Sequence, residues 1–282
     1  MVASPRASPP PPPSASPVGT ALTDPSTAVV VTRLRDGHVH LARGWPADLP
    51  PGHEPVLTGP GVVAVLAEDD LAGALAEALG EFTDARAAML TNPDGHGLLA
   101  AVAFGQWRAR TRFCPRCGGG LAAGDGGRVL RCKDGHQEFP RLEPAVIMRV
   151  VDADDRIVLA RQVSWPEGRV SVLAGFVDPG EALEDTVRRE VMEEVGVTVG
   201  DVAYVKSQPW PFPSSLMLAF EARATSTQLQ MLDGEIADAA WFSRDELRTA
   251  MAEGAVALPP PLSVAHQLVH AWLDAPLRIW GS

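Results

Sequence analysis

The chain has 282 residues, 46% of them hydrophobic and 21% charged, with a net charge of −11. At ~150 residues per domain this suggests about two domains with real cores, and no apolar run approaches the roughly 18–20 residues that span a bilayer. The acidic balance argues against a general nucleic-acid coat, which needs a basic footprint, and leaves room only for a local basic site.

In chain order, residues 1–28 come first. Seven of the first 17 are Pro, including Pro9–Pro13. Polyproline lacks backbone donors and builds no core, so this stretch is expected to be a disordered tail. It has no basic start followed by an apolar run, so no secretory signal is expected. Residues 29–111 predict a small α/β domain. Val29–Arg33 and Val39–Leu41 read as strands around an Asp36-Gly37 turn, with further strands at Val56-Leu57 and Val62–Leu66. Apolar residues three and four apart predict helices over Leu71–Leu79, Thr83–Leu90 and Gly97–Arg110.

Residues 112–141 lose helical periodicity. They carry all three cysteines, as Cys114-x2-Cys117-x14-Cys132. Without a secretory signal this spacing points to metal or redox use in a cytosolic setting, not to a disulfide scaffold. A structural zinc site wants four N/S ligands. His136, in Cys132-x3-His136, supplies the fourth; Asp134 is the weaker candidate, and loss of zinc the alternative.

Residues 142–282 predict a mixed α+β domain. Strands are expected at Pro144–Val151, Arg156–Gln162, Val170–Leu173, Val202–Ser207, Leu216–Ala222 and Ala237–Phe242. Helices are expected at Glu181–Val195, Arg244–Met251 and Leu262–Leu273. On the last, His266 and His270 are four apart and read as packing residues, since no carboxylate partner lies near in sequence.

The strongest signal is Gly175–Val197, GFVDPGEALEDTVRREVMEEVGV. Glu190 and Glu194 are four apart and share a helical face, with Glu193 flanking it. Like charges so spaced cost a few tenths of a kcal/mol each in an isolated helix. A divalent cation reverses that penalty, and such oxygen ligands suit Mg²⁺ or Mn²⁺. From Gly175 through Glu181, Arg189-Glu190, Glu193-Glu194 and Gly196 the pattern resembles the Nudix box at every defined position. A chance match in a chain this long is on the order of 10⁻⁷.

The resemblance covers about residues 112–275. It implies a Nudix α/β/α sandwich, preceded by a zinc ribbon and the small N-terminal α/β domain, and a metal-dependent hydrolase of nucleoside diphosphate derivatives. It assigns metal to Glu190, Glu194 and the Ala174 carbonyl. Glu193 becomes a further ligand or the general base, and Arg189 a structural partner of a box glutamate. Ser207–Ser215, SQPWPFPSS, resembles the motif of the NADH pyrophosphatase (NudC-type) branch. Read from the residues alone, its prolines stiffen a loop on which Trp210 and Phe212 offer stacking faces.

That branch cleaves NAD(H) to nicotinamide mononucleotide and AMP, and removes NAD caps from RNA 5′ ends. The resemblance gives substrate contacts to Gln208, Pro209, Trp210, Pro211, Phe212, Pro213, Ser214 and Ser215. It adds Phe176 and Phe139 as a pair sandwiching nicotinamide, Phe139 from the second copy of a homodimer. Phe139 stands where similar enzymes often have Tyr. Glu235 is implied as a late metal ligand, and Ala265, in PPPLSVA, as lining the site through its backbone. A Nudix hydrolase of another substrate such as ADP-ribose, or a non-catalytic zinc-ribbon nucleotide sensor, are the alternatives. The intact box counts against the sensor and the SQPWPFP stretch against ADP-ribose.

Overall fold

In a computed structural model the protein divides into two compact units, Met1–Pro140 and Arg141–Ser282. The structure describes residues 28–33, 38–43, 56–59, 62–67, 72–73, 76–77, 82–91, 95–232 and 234–275. The proline-rich segment, the Asp36-Gly37 turn and most of the expected helix 71–79 lie outside them. Among the described residues no helix is long and apolar enough to cross a membrane.

The described residues of the N-terminal unit form two sheets. Strands β1 (Ala28–Arg33), β2 (Val39–Arg43), β3 (Val56–Gly59) and β4 (Val62–Ala67) form a sheet of order β2-β1-β4-β3, with β1 and β4 parallel. Helices α1 (Ala85–Thr91) and α2 (Gly95–Arg110) follow, and α2 packs against β1, β3 and β4. The smaller sheet is β5 (Leu121–Gly124), β6 (Val129–Cys132) and β7 (Gln137–Glu138), in that order.

The C-terminal unit is built on β8 (Glu143–Val151), whose residues Ala145–Val151 are all buried. A strand covered on both faces reads as a continuous apolar run, and AVIMRVV does so apart from Arg149. That side chain is buried and pairs with Glu221. Around β8 lie β9 (Ile157–Gln162), β10 (Leu173–Phe176), β11 (Val199–Trp210), β12 (Ser215–Ala224) and β13 (Ile236–Phe242). The sheet order is β11-β12-β8-β9-β13, with β10 also on β8 and β12 parallel to it.

Alternation along β8 divides the core. Val146, Met148 and Val150 meet Val187, Val191 and Val195 of helix α3 (Leu183–Val195) on one face. On the other, Ile147 and Val151 meet Leu268, Val269 and Trp272 of α5 (Val264–Asp274) and Leu247 of α4 (Arg244–Ala252). The three valines of α3 are fully covered, and each contributes about 1.5–3 kcal/mol relative to exposure. This is the expected α/β/α sandwich.

Two expectations are corrected. The strand expected at Val170–Leu173 lies at Leu173–Phe176, because residues 145–148 of β8 pair with 173–176; Ser171 instead bridges Ala160. SQPWPFPSS is not one loop. Ser207–Trp210 ends β11 in register with Ser215–Leu218 of β12, and the turn between them is four residues long. Pro209 is tolerated there because β11 is the sheet edge, where a missing N–H costs least.

Candidate active site and metal centre

The Glu-rich helix is fixed at both ends by its own motif. The Glu181 carboxylate accepts from the Asp178 N–H (3.1 Å) and the Thr186 hydroxyl (2.9 Å), tying the preceding turn to the first helical turn. At the other end Gly196, with φ +69°, donates its N–H to the Met192 carbonyl at 2.9 Å, a left-handed cap that favours glycine.

Arg189 is the hub of the site. It donates to Glu181 Oε1 (2.6 Å) and Oε2 (2.9 Å), to Glu190 (2.9 Å), to Glu193 (2.8 Å) and to the Phe176 carbonyl (2.9 Å). One guanidinium thus fixes three box carboxylates and the backbone of β10. Its hydrogen bonds hold the Glu181 carboxyl down at about 2 against the opposing effect of burial. At Glu190 burial pushes the carboxyl above the usual glutamate range, although Arg189 pulls it the other way.

Gly175 has its own physical reason. Its backbone passes so close to Glu190 that an added methyl group would overlap the Glu190 carboxyl. The gap in the side-chain row of β10 is the cradle of that carboxylate. Glu194 is buried at 4% exposure, while the Glu193 side chain is 51% exposed.

A cavity of about 310 Å³ has Ala174, Glu194, Gln208, Trp210 and Ala265 in its wall. Gln208 and Trp210 alternate along β11 and so share a face. The Gln208 amide is a clamp: it donates to the Leu262 carbonyl (2.8 Å) and accepts from the Val264 N–H (2.7 Å), binding β11 to the start of α5. Trp210 and Phe212 pack edge to face at 5.3 Å. Pro211 and Ser215 are buried, Pro209 and Pro213 exposed, and Ser214 accepts at its carbonyl from the Glu143 N–H.

Phe176 and Glu235, also expected at the site, do not line that cavity. Phe176 is 55% exposed at the end of β10. Phe139 is equally exposed and belongs to the N-terminal unit. Glu235 is exposed just before β13, its carbonyl accepting from the Val163 N–H, while its neighbour Ile236 lines the cavity. Sequence reasoning did not single out Trp165 and Arg169, which also line it with the Arg169 guanidinium 4.8 Å over the indole. The expected PPPLSVA stretch lines the cavity with Pro260 and Ser263 as well as with Ala265. The WPEGR stretch gives no periodicity that would mark it. His266 and His270 stack at 4.1 Å, and His266 Nδ1 lies 2.9 Å from the Pro259 carbonyl.

The second centre is in the N-terminal unit. Ligand atoms of Cys114, Cys117, Cys132 and His136 all lie within 4.8 Å of one another. Cys114 Sγ and Cys132 Sγ are 3.6 and 3.5 Å from His136 Nδ1, and Cys117 Sγ is 3.7 Å from Cys132 Sγ. Zinc bonds of about 2.3 Å to sulfur and about 2.0–2.1 Å to nitrogen put tetrahedral ligand atoms about 3.6–3.8 Å apart. The cluster therefore fits zinc in distance as well as in ligand type. Two similar turns build it. Gly118 donates to the Cys114 carbonyl (2.8 Å) and Gly135 to the Cys132 carbonyl (3.0 Å), both glycines at positive φ.

Sheet, helix and carboxylate cluster define a class. Residues 141–260, most of the C-terminal unit, match the NUDIX domain family. Particular relatives follow. The chain is 51% identical over 147 residues to the NAD-capped RNA hydrolase NudC of Mycobacterium bovis, covering 49% of this chain and 47% of that one. It is 44% identical over 180 residues to the NAD-capped RNA hydrolase NUDT12 of Macaca fascicularis, covering 59% and 39%. It thus spans about half the length, or less, of the curated relatives it matches. Among solved structures, a NUDIX hydrolase from Nitrosomonas europaea matches with TM-score 0.45 and 19% identity, over 58% of this chain and 90% of its own.

Proposed function

We propose that the chain hydrolyses the pyrophosphate of NAD(H), giving nicotinamide mononucleotide and AMP, and removes NAD caps from RNA 5′ ends. The observation that carries this reading is the meeting, in one cavity wall, of the buried box carboxylate Glu194 with Gln208 and Trp210 of the SQPWPFP strand. The relatives named NAD-capped RNA hydrolases support the substrate class.

The donor set suits hard divalent cations, and the Glu190 cradle at Gly175 supports that fit. Glu190, Glu194, Glu235 and the Ala174 carbonyl would hold Mg²⁺ or Mn²⁺. Such ions neutralise phosphate charge and lower the pKa of a bound water. The rest is the work of side chains. Arg189 fixes Glu190 and Glu193. The proton released when water attacks phosphorus goes to Glu193 or Glu194. Trp210 and Phe212 stiffen the substrate edge, together with Pro209, Pro211, Pro213, Ser214 and Ser215, and Gln208 keeps the Ala265 backbone in the wall. Phe176 offers one face for nicotinamide and Phe139, from the second copy of a homodimer, the other. Zn²⁺ on Cys114, Cys117, Cys132 and His136 is structural. The reading implies a cytoplasmic setting, in which these thiols stay reduced.

The test is incubation of the full chain with NADH and Mg²⁺ or Mn²⁺, with ADP-ribose in parallel and products separated by chromatography. Reduced nicotinamide mononucleotide and AMP are expected, abolished by a chelator and by Glu194→Gln, which keeps the fold. Cleavage of ADP-ribose without NADH, or a Glu194→Gln rate near normal, would overturn the reading.

A further inference from the structure

The charge of this chain is unevenly placed. Residues 108–140 hold seven bases and three acids, a net charge of +4, whereas all other residues together carry −15. Six of the seven bases, Arg110, Arg112, Arg116, Arg128, Arg131 and Lys133, are exposed, and one of the three acids, Glu138, is buried. Arg116 and Lys133 stand within the two metal-cluster turns, whose ligand atoms lie within 4.8 Å of each other. Arg112 lies two residues before the first turn, and its carbonyl accepts from Leu121 of β5. The positive charge is thus gathered on one small body.

Phe113 directly follows Arg112 in the sequence. It is 69% exposed, although its backbone is fixed by a bridge to Gly120. An exposed ring flanked in the sequence by Arg112 and Arg116 gains little from folding. It offers a stacking face for an unpaired base, while the cations beside it meet phosphates.

We infer that the Cys₃His ribbon is a docking surface for single-stranded RNA, engaging the phosphodiester body of a capped transcript while the NUDIX domain acts on its 5′ end. The inference rests on the reading of NAD-capped RNA as a substrate. Charge complementarity commits it to a polyanion, and the exposed ring to an unpaired one. The strongly acidic remainder of the chain repels the same polyanion, so affinity resides in the ribbon.

The test uses the full chain with a fluorescent 5′-hydroxyl RNA of about 20 nucleotides, read by anisotropy between about 50 and about 200 mM salt. This probe has no cap, so binding is read independently of cleavage. The wild type is expected to bind with a steep salt dependence. Arg112→Gln/Arg116→Gln/Lys133→Gln is expected to weaken binding at least about tenfold and to lower the log–log salt slope by about 2, at ~0.7 per phosphate contact on a single strand. The same variant should lose about tenfold in kcat/KM on NAD-capped RNA and keep its rate on free NADH, with zinc content unchanged. Phe113→Ala should weaken binding by about tenfold with the salt slope unchanged, which separates stacking from charge and decides the matter should the triple variant lose zinc. Absence of RNA binding by the wild type, or wild-type binding by the variants, would overturn the inference. Failure to cleave NADH with these binding results intact would overturn only the proposed reaction.

Discussion

Gly175→Ala isolates the physical reason for a glycine in the box. Gly175 is not among the glycines with positive φ, so the backbone accepts alanine. The obstacle is the Glu190 carboxyl, which the new methyl would overlap. Non-bonded carbons rest about 3.5–4.0 Å apart, so the carboxyl must move by roughly 2 Å. A misplacement of ~1 Å in a catalytic group costs about a hundredfold, so kcat/KM on NADH should fall by at least about a hundredfold. The loss of one partly covered charge-assisted bond from Arg189 should cost about 1–2 kcal/mol of stability. Steady-state NADH hydrolysis beside a thermal unfolding curve reads both. Gly180→Ala is the control: φ there is +98° but nothing lies within 4 Å of its added carbon. It should lose about 1 kcal/mol to backbone strain and keep most of its activity. A Gly175→Ala enzyme as active as the Gly180→Ala one would refute the cradle.

Three further outcomes are expected. The protein should retain one zinc per chain by elemental analysis, and His136→Ala should lose it, loosening residues 112–138 to proteolysis; a variant that keeps its zinc would mean another fourth ligand. Glu181→Gln should remove part of the acid-labile stability. The Glu181 carboxyl sits at about 2 in the folded chain against ~4.3 unfolded. Its contribution is therefore complete above the unfolded value and lost as pH falls through about 2. Equal acid-unfolding profiles for the two proteins would contradict that. Gln208→Ala frees the Leu262 carbonyl and the Val264 N–H, so it should raise KM for NADH several-fold with a smaller change in kcat; an unchanged KM would show that the clamp does not shape the cavity.

What the sequence discloses follows the range of the interactions involved. Helix α3 was legible because the devices it uses are local: the valine stripe four apart, the Glu181 carboxylate tying Asp178 to Thr186, and Gly196 at the end. The Cys₃His cluster was legible for the same reason, since two short glycine turns bring four ligands together. The strand at 173–176 was misplaced because its position comes from β8, some thirty residues away in the chain, and Gly175 weakens any local strand preference. The SQPWPFP stretch shows both levels. Its residues reveal proline stiffening and aromatic faces, but neither the edge-strand position that tolerates Pro209 nor the fact that the Gln208 amide is committed to residues 262 and 264. Trp165 and Arg169 were invisible because they enter the cavity through the pairing of residues 168–170 with 257, a contact no periodicity encodes. Chemistry carried by one helix can be read from its spacing, whereas the cavity is assembled from strands β8 to β13, the stretch 165–172, Glu194 of α3 and the start of α5. Its specificity is therefore written in tertiary pairings, and it is the walls at Arg169, Gln208 and Ser263, more than the box, that should distinguish this domain from NUDIX domains with other substrates.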